Sequence, residues 1–346
     1  MNNFRLQKLQ QQIKHPVLIK KKENLLYLTG SSFSQAEGLL LVTKKDVVFF
    51  GSGLEKIEGV KKIDRLKNIG KYISGTRQLD IGYDFTYGEG EYIKLKVGNS
   101  NLTVLPALSE LDKLRKVKET EEILLIKKSM QIVEKVFTLV KKEIKKPGIT
   151  EFKLAKFIEE QGLLLGAEEV SFPAIVASGL NAVVPHHVPG SKKLKPGESI
   201  ILDFGFKYKG YCSDFTRTVF LKFAPKKLSI VYEQVEKAYN KCFTAAVKGE
   251  SAGNLYNLAA EVLAEKKLEK YFIHSLGHGT GLEIHELPNL SPGEVEKMEN
   301  NFVFSIEPGV YIPKLGGVRI EDLVYIENGI CKKFIKVPTQ LNHNIL

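Results

Sequence analysis

The stretch LDFGFKYKGYCSDFTRT, Leu202 to Thr218, sets two aspartates, Asp203 and Asp214, on either side of a short turn. Ser199 to Phe206 and Tyr211 to Phe220 are rich in aliphatic, aromatic and Thr residues, and Lys209-Gly210 between them is a turn signal. The midpoint of the two aspartates lies within Lys207-Tyr208-Lys209-Gly210. A hairpin closing symmetrically there puts both carboxylates directly opposite on one face, where like charges repel. Such a pair needs a physical reason to exist.

A second segment repeats the pattern. In FVFSIEPGVYIPKLGGVRIEDLVYI, Phe302 to Ile326, Glu307 ends one apolar run and Glu321 lies in another, after Gly316-Gly317. Their midpoint also falls in the turn, although Pro308 and Pro313 argue against a regular hairpin. A carboxylate flanked by Ile306 and Pro308, or by Ile320 and Asp322, is expensive to bury unpaired. Upstream, SLGHGTGLEIHE places His278 between Gly277 and Gly279, with Gly281 close behind. Glycines so dense permit close backbone approach, and their spacing is not that of a phosphate loop. Four carboxylates and one imidazole suit two divalent cations bridged by shared carboxylates. The rival explanation, salt bridges to Arg217 and Arg319, leaves His278 and one of the hairpins unexplained.

At 346 residues the chain predicts about two domains. Its 43% hydrophobic and 26% charged residues are those of an ordinary soluble protein. No run of ~18 apolar residues occurs, so no membrane span is expected. The N-terminal MNNFRLQKLQQQIKHP lacks a signal-peptide core, and three cysteines fit a reducing compartment, which together predict a cytoplasmic location. The net charge of +11 comes mostly from lysines dispersed in short runs, without aromatic interleaving, so no nucleic-acid partner is expected. Short apolar runs at Leu25 to Leu28, Gly38 to Thr43 and Asp46 to Phe50 predict a small α/β unit over the first ~115 residues. From Leu108 a helical pattern takes over, with Ile123, Ile126, Met130, Val133, Val136 and Val140 in three- or four-residue steps until Pro147-Gly148. Thr150 then caps a further helix, with Lys153 where a capping box would place Glu or Gln. Ser229 to Lys248 and Ala252 to Leu268 read as two more helices, and the domains expected are 1–115 and 116–346.

Taken in order, DFG…YCSDFTRT, GHGTGLEIHE, SIEPG and RIED make residues 116 to 340 resemble the pita-bread metallopeptidases: aminopeptidase P, prolidase and methionine aminopeptidase. SGLNAVVPHHVPG resembles the prolidase and aminopeptidase P branch, and NLLYLTGSSFSQAEGLLLVT resembles its creatinase-like N-terminal domain. The resemblance implies an α+β architecture: a pita-bread C-terminal catalytic domain with a smaller α/β creatinase-like N-terminal domain. It implies that Asp203 holds the first of two divalent metal ions, that Asp214 and Glu321 bridge both, and that His278 and Glu307 complete the second site. Mn2+ suits this oxygen-rich set, with Co2+, Fe2+ and Zn2+ open. Glu307 doubles as general base, His186 matches the histidine at the scissile carbonyl, His285 matches a second one near the substrate, and Arg319 orients the bridging carboxylates. His187 and His274 are read as structural. The implied substrates are Xaa-Pro peptides, and the implied assembly is a homodimer. One departure bears on the substrate: many prolidases carry an arginine after the HE motif to engage a dipeptide's carboxylate, and here HELPNLSP has Asn289. Asparagine cannot supply a charged bidentate partner. The expected activity is therefore aminopeptidase P-like, with prolidase as the alternative. A non-hydrolytic binding module on the same fold is a further alternative, disfavoured because all five ligand positions hold competent side chains.

Overall fold

Two of the apolar runs in the first third of the chain become strands, and one becomes a helix. The computed structural model describes residues 2–30, 38–51, 60, 62–81, 87–99, 101–106 and 109–346. Its first unit, Met1–Arg115, contains α1 (Asn2–Gln12), β1 (Val17–Ile19), α2 (Lys22–Thr29), β2 (Leu39–Val42), β3 (Val47–Phe50), β4 (Lys62–Asp64), α3 (Gly70–Ile73), β5 (Gln78–Ile81), α4 (Tyr87–Val97) and β6 (Thr103–Pro106). These strands form one mixed sheet in the order β4-β3-β2-β1-β5-β6. The runs at Gly38 to Thr43 and Asp46 to Phe50 are the hairpin β2–β3, whereas Leu25 to Leu28 lies in α2. Leu18, Leu41, Val48 and Leu79 pack in its core. Residues 31–37 of the stretch NLLYLTGSSFSQAEGLLLVT lie outside the described residues.

After α5 (Ser109–Lys116), the second unit, Lys116–Leu346, opens with α6 (Thr120–Glu143) and α7 (Glu151–Leu164). The helical pattern that reads as continuous from residue 109 is interrupted at Val117–Glu119. There Glu122 accepts a bond from Glu119 N at 2.8 Å, half of a capping box that starts a new helix. Ile126, Met130, Val133, Val136 and Val140 are buried, each contributing roughly 1.5–3 kcal/mol by burial for a residue of this kind. At α7 the Thr150 hydroxyl caps the helix as expected, accepting from Lys153 N at 3.2 Å.

The strands that follow are β7 (Glu169–Val170), β8 (Ile175–Ser178), β9 (Ser199–Asp203), β10 (Phe206–Tyr208), β11 (Tyr211–Cys212) and β12 (Phe215–Phe220). Helices α8 (Lys226–Ala245) and α9 (Ala252–Ala264) separate them from β13 (Gly277–Gly279), β14 (Glu286–Leu290), β15 (Val303–Ile306), β16 (Gly309–Ile312), β17 (Gly316–Arg319), β18 (Glu321–Glu327) and β19 (Ile330–Lys333). An antiparallel sheet runs β14-β13-β15-β18-β12-β9-β8, with β19 also on β18. Helices α8 and α9 cover it through a core that includes Tyr232, Tyr239, Phe304, Val324 and Ile326.

The first acidic hairpin departs from its expected register and the second keeps it. Lys209 and Gly210, at φ 49° and 79°, form the two-residue turn, and the ladder counts outward from them. Asp203 therefore faces Thr216, not Asp214. The turn fixes the register, so the two aspartates are offset from direct opposition. The second hairpin is more regular than its prolines predict. Ile306 pairs with Asp322 and Gly309 pairs with Arg319, so Glu307 and Glu321 hold matching positions where the ladder breaks between these pairs. Pro308 sits in that break and Pro313 in the turn, where neither removes a ladder bond. Gly316 and Gly317 lie in β17, not in the turn.

Candidate active site

Three neighbouring strands align one row of side chains. Thr216 of β12 stands opposite Asp203 of β9 on one side and Glu321 of β18 on the other. Its hydroxyl donates to Glu321 at 2.6 Å. Side chains alternate across a sheet, so the next residues, Arg217 and Asp322, face the other way. There Arg217 Nη2 meets Asp322 Oδ1 at 2.6 Å, and Tyr239 of α8 donates to Asp322 Oδ2 at 2.5 Å. Arg217 is thus committed to the face under α8 and cannot neutralise the acidic row. Arg319 does reach that row: Nη2 bonds Asp203, Nε bonds the Thr216 hydroxyl, and Nη1 bonds the Tyr311 hydroxyl at 2.6 Å. Its contacts are to Asp203 and Thr216, rather than to the two carboxylates expected to bridge.

Asp214, Glu307 and His278 close the row into a cluster. Asp203, Asp214 and Glu321 are 8%, 4% and 2% exposed. The His278 Nε2 lies 3.5 Å from Asp214 Oδ2 and 3.4 Å from Glu307 Oε1. Its other nitrogen, Nδ1, donates to the Gly279 carbonyl at 3.1 Å, which leaves Nε2 with its lone pair toward the carboxylates. Gly277 is there for lack of room, since a Cβ would lie 2.0 Å from the Ser305 carbonyl oxygen. That close approach of β13 to β15 brings His278 beside Glu307, and the Ser305 hydroxyl links them, accepting from His278 N and donating to Glu307 Oε1 at 3.1 Å.

The cluster is electrostatically unbalanced. Burial, then the negative charge of Asp203 and Glu307, pushes the Asp214 carboxyl well above its usual range. Burial and Asp214 do the same to Glu321, and burial raises Glu307. Burial lowers His278, favouring the neutral ring that ligates a metal. Asp203 Oδ1 and Glu321 Oε1 are buried without any hydrogen-bond partner. Asp214, His278 and Glu321 bring ligand atoms within 4.8 Å of one another. Two unpartnered carboxylate oxygens, an aimed imidazole and one arginine against four acids fit divalent cations well, because positive charge placed there reverses every one of these penalties.

The cluster forms the floor of a cleft of about 540 Å3 whose wall includes Phe172, Ile175, His186, Ile284, His285 and Asn289. His186 and His285 are exposed to the cleft, and the His285 ring stands edge-on to His278 with centroids 4.3 Å apart. Asn289 is the cross-strand partner of His278. A larger open groove along α8, about 700 Å3, is lined by Glu233, Glu236, Lys237 and Lys241 and has no histidine in its wall. Glu286, the acid of the HE motif, is bonded to the buried Lys118 at 2.9 Å. His187 faces Glu151, as a structural residue would. His274 lines the cleft, donates to the Ser275 carbonyl and accepts from the Tyr311 hydroxyl at 3.0 Å, so it belongs to the Arg319–Asp203 network. Sequence spacing gave no sign of Tyr311 or Thr216; Thr216 becomes legible only once the Lys209-Gly210 register is known.

The model of metallopeptidase family M24 matches residues 125–328. The chain is 34% identical over 333 residues to an Xaa-Pro dipeptidase of Pyrococcus horikoshii, covering 94% of this chain and 93% of that protein. This chain belongs to metallopeptidase family M24. Among solved structures, the prolidase from Pyrococcus horikoshii OT3 superposes with a TM-score of 0.90 at 32% identity, over 98% of this chain and 99% of that one. The X-Pro aminopeptidase from Thermotoga maritima superposes at 0.83 with 26% identity, over 96% and 98%. The α+β pita-bread architecture expected from the sequence is therefore met, and this M24 member is a metallopeptidase that hydrolyses peptide bonds with divalent metal. No helix among the described residues is long and apolar enough to cross a membrane.

Proposed function

We propose that this M24 metallopeptidase cleaves the bond before proline in Xaa-Pro dipeptides. The observation that carries the reading is the convergence of Asp203, Asp214, His278, Glu307 and Glu321 at the floor of one cleft, with two carboxylate oxygens unpartnered. Relatives named Xaa-Pro dipeptidase and prolidase support the dipeptidase form over the aminopeptidase P form that Asn289 favours. An arginine at 289 is one way to hold a terminal carboxylate, and its absence removes that way only.

In this reading Asp203, Asp214, His278, Glu307 and Glu321 would hold the divalent ions, with Asp214 and Glu321 as the carboxylates that would be shared between them. Divalent ions bound there supply Lewis acidity and make water a stronger acid, lowering its pKa to about 7 in the zinc case. Glu307, at the floor of the cleft beside His278, is placed to take a proton from the attacking water and return it to the prolyl nitrogen as the C–N bond breaks. His186 donates to the carbonyl oxygen as negative charge develops on it. Replacing His186 with alanine is expected to lower kcat by about 10²-fold with little change in KM, the usual cost of one oxyanion donor; steady-state kinetics would measure it. Arg319 and Tyr311 hold Asp203 in place from behind. Mn2+, a homodimer and a cytoplasmic location complete the proposal; they rest on the resemblance and the composition.

The test is a metal-dependent assay comparing Xaa-Pro dipeptides with Xaa-Pro-Xaa tripeptides. Faster dipeptide cleavage that stops on chelation is expected, and equal rates insensitive to chelator would end the reading. Asn289→Arg is expected to raise the dipeptide-to-tripeptide rate ratio several-fold. An unchanged ratio would remove position 289 from the specificity argument.

A further inference from the structure

Glu151 is the first residue of α7 and is fully buried. A buried carboxylate is costly, and this helix start is already capped by Thr150. All of its oxygen capacity is turned on one segment, residues 178–190. Oε1 accepts from Ser178 N at 2.8 Å, Ser178 Oγ at 2.7 Å and Asn181 Nδ2 at 3.1 Å. Oε2 accepts from Asn181 Nδ2 at 3.0 Å, His187 Nε2 at 2.9 Å and Gly190 N at 3.3 Å. The main chain of the same helix start joins in, with Phe152 N donating to Gly190 O at 2.9 Å and Glu151 N to Lys192 O at 3.0 Å. Burial disfavours the Glu151 carboxylate, but the bonds from Ser178, His187 and Asn181 outweigh it and hold the carboxyl below its usual value.

Between these anchors the segment carries Pro185-His186, and His186 lines the cleft over the acidic cluster. We propose that Glu151 is a positioning residue: by binding Ser178 and Asn181 before His186, and His187 and Gly190 after it, one carboxylate fixes the backbone from which His186 reaches the substrate. This rests on the peptidase reading above. Glu151 itself lies outside the cleft wall and touches none of the five acidic-cluster side chains. Its effect on catalysis passes through His186.

The test is a double-mutant cycle with Glu151→Gln and His186→Ala, accompanied by amide hydrogen exchange. Glutamine keeps the shape of Glu151 but turns an NH2 group toward donors, so part of the anchor is lost. In the wild-type background E151Q is expected to lower kcat about tenfold to a hundredfold, as small misplacements of a reacting group do, with KM within about twofold. Bound metal should stay close to wild type, the melting temperature should fall by a few degrees because buried donors lose their acceptor, and in the H186A background E151Q should cost kcat nothing further. An equal loss in both backgrounds would overturn the proposal, as would a lower melting temperature with wild-type kcat per folded molecule. Exchange decides independently of activity. Faster exchange across 178–190 in E151Q, with α6 unchanged, supports the anchor, and unchanged exchange there refutes it. If the wild-type chain cleaves no Xaa-Pro peptide, the peptidase reading fails, and exchange alone still judges the anchor.

Discussion

Asp214→Ala is expected to lower kcat/KM by at least about 10³-fold, ~4 kcal/mol of transition-state stabilisation, and to abolish metal binding. Asp214 is buried among Asp203, Glu307 and Glu321, and its negative charge is unfavourable there unless cations balance it. The substitution therefore has opposite effects in two states of the protein. In chelator, removing one of four crowded carboxylates relieves repulsion, so the variant should melt at or above the wild-type temperature. With Mn2+ the wild type should gain thermal stability by mass action and the variant should not. Melting curves with and without metal, read beside the kinetics, check both halves. A variant that keeps full activity would remove Asp214 from the bridging role.

Gly277→Ala is the second large effect, and it acts through the backbone. Its Cβ would stand 2.0 Å from the Ser305 carbonyl oxygen and 2.8 Å from its carbon. Neither atom can move without parting β13 from β15, the contact that brings His278 beside Glu307. A destabilisation of about 3 kcal/mol is expected, at the upper end for overpacking, which lowers the melting temperature of a unit this size by about 6–12 °C. Metal affinity should fall with it. Thermal unfolding in chelator separates the packing cost from the lost ligand geometry, and an unchanged melting temperature there would mean that β13 and β15 do not need this close approach.

The acidic cluster was legible in the sequence because each of its carboxylates sits in an apolar run where burial without a partner is costly. The turn that organises the first hairpin is legible too, and the register follows from that turn rather than from the midpoint of the aspartates. Counting outward from Lys209-Gly210 puts Thr216 across from Asp203, and counting from the aspartates themselves does not. For the second hairpin the count from the two glutamates gives the observed register, and the prolines do not disturb it, because Pro308 occupies a break in the ladder and Pro313 the turn. What no local pattern announces are partnerships that the fold makes between distant residues. Arg319 joins Asp203 across 116 positions, Arg217 joins Asp322 across 105, and Glu151 reaches His187 across 36. His274 and Tyr311 enter the site by the same route. The helix break at Val117–Glu119 was hidden by hydrophobic periodicity continuing on both sides of it, even though Glu119 and Glu122 already spell an N-terminus.

The central claim is a centre built for two cations, and counting them tests it most directly. Chelator-treated protein dialysed against Mn2+ should bind two ions per chain, and Xaa-Pro hydrolysis, absent in chelator, should return with them. Binding of at most one ion, or undiminished hydrolysis in chelator, would contradict a two-metal site formed by Asp203, Asp214, His278, Glu307 and Glu321.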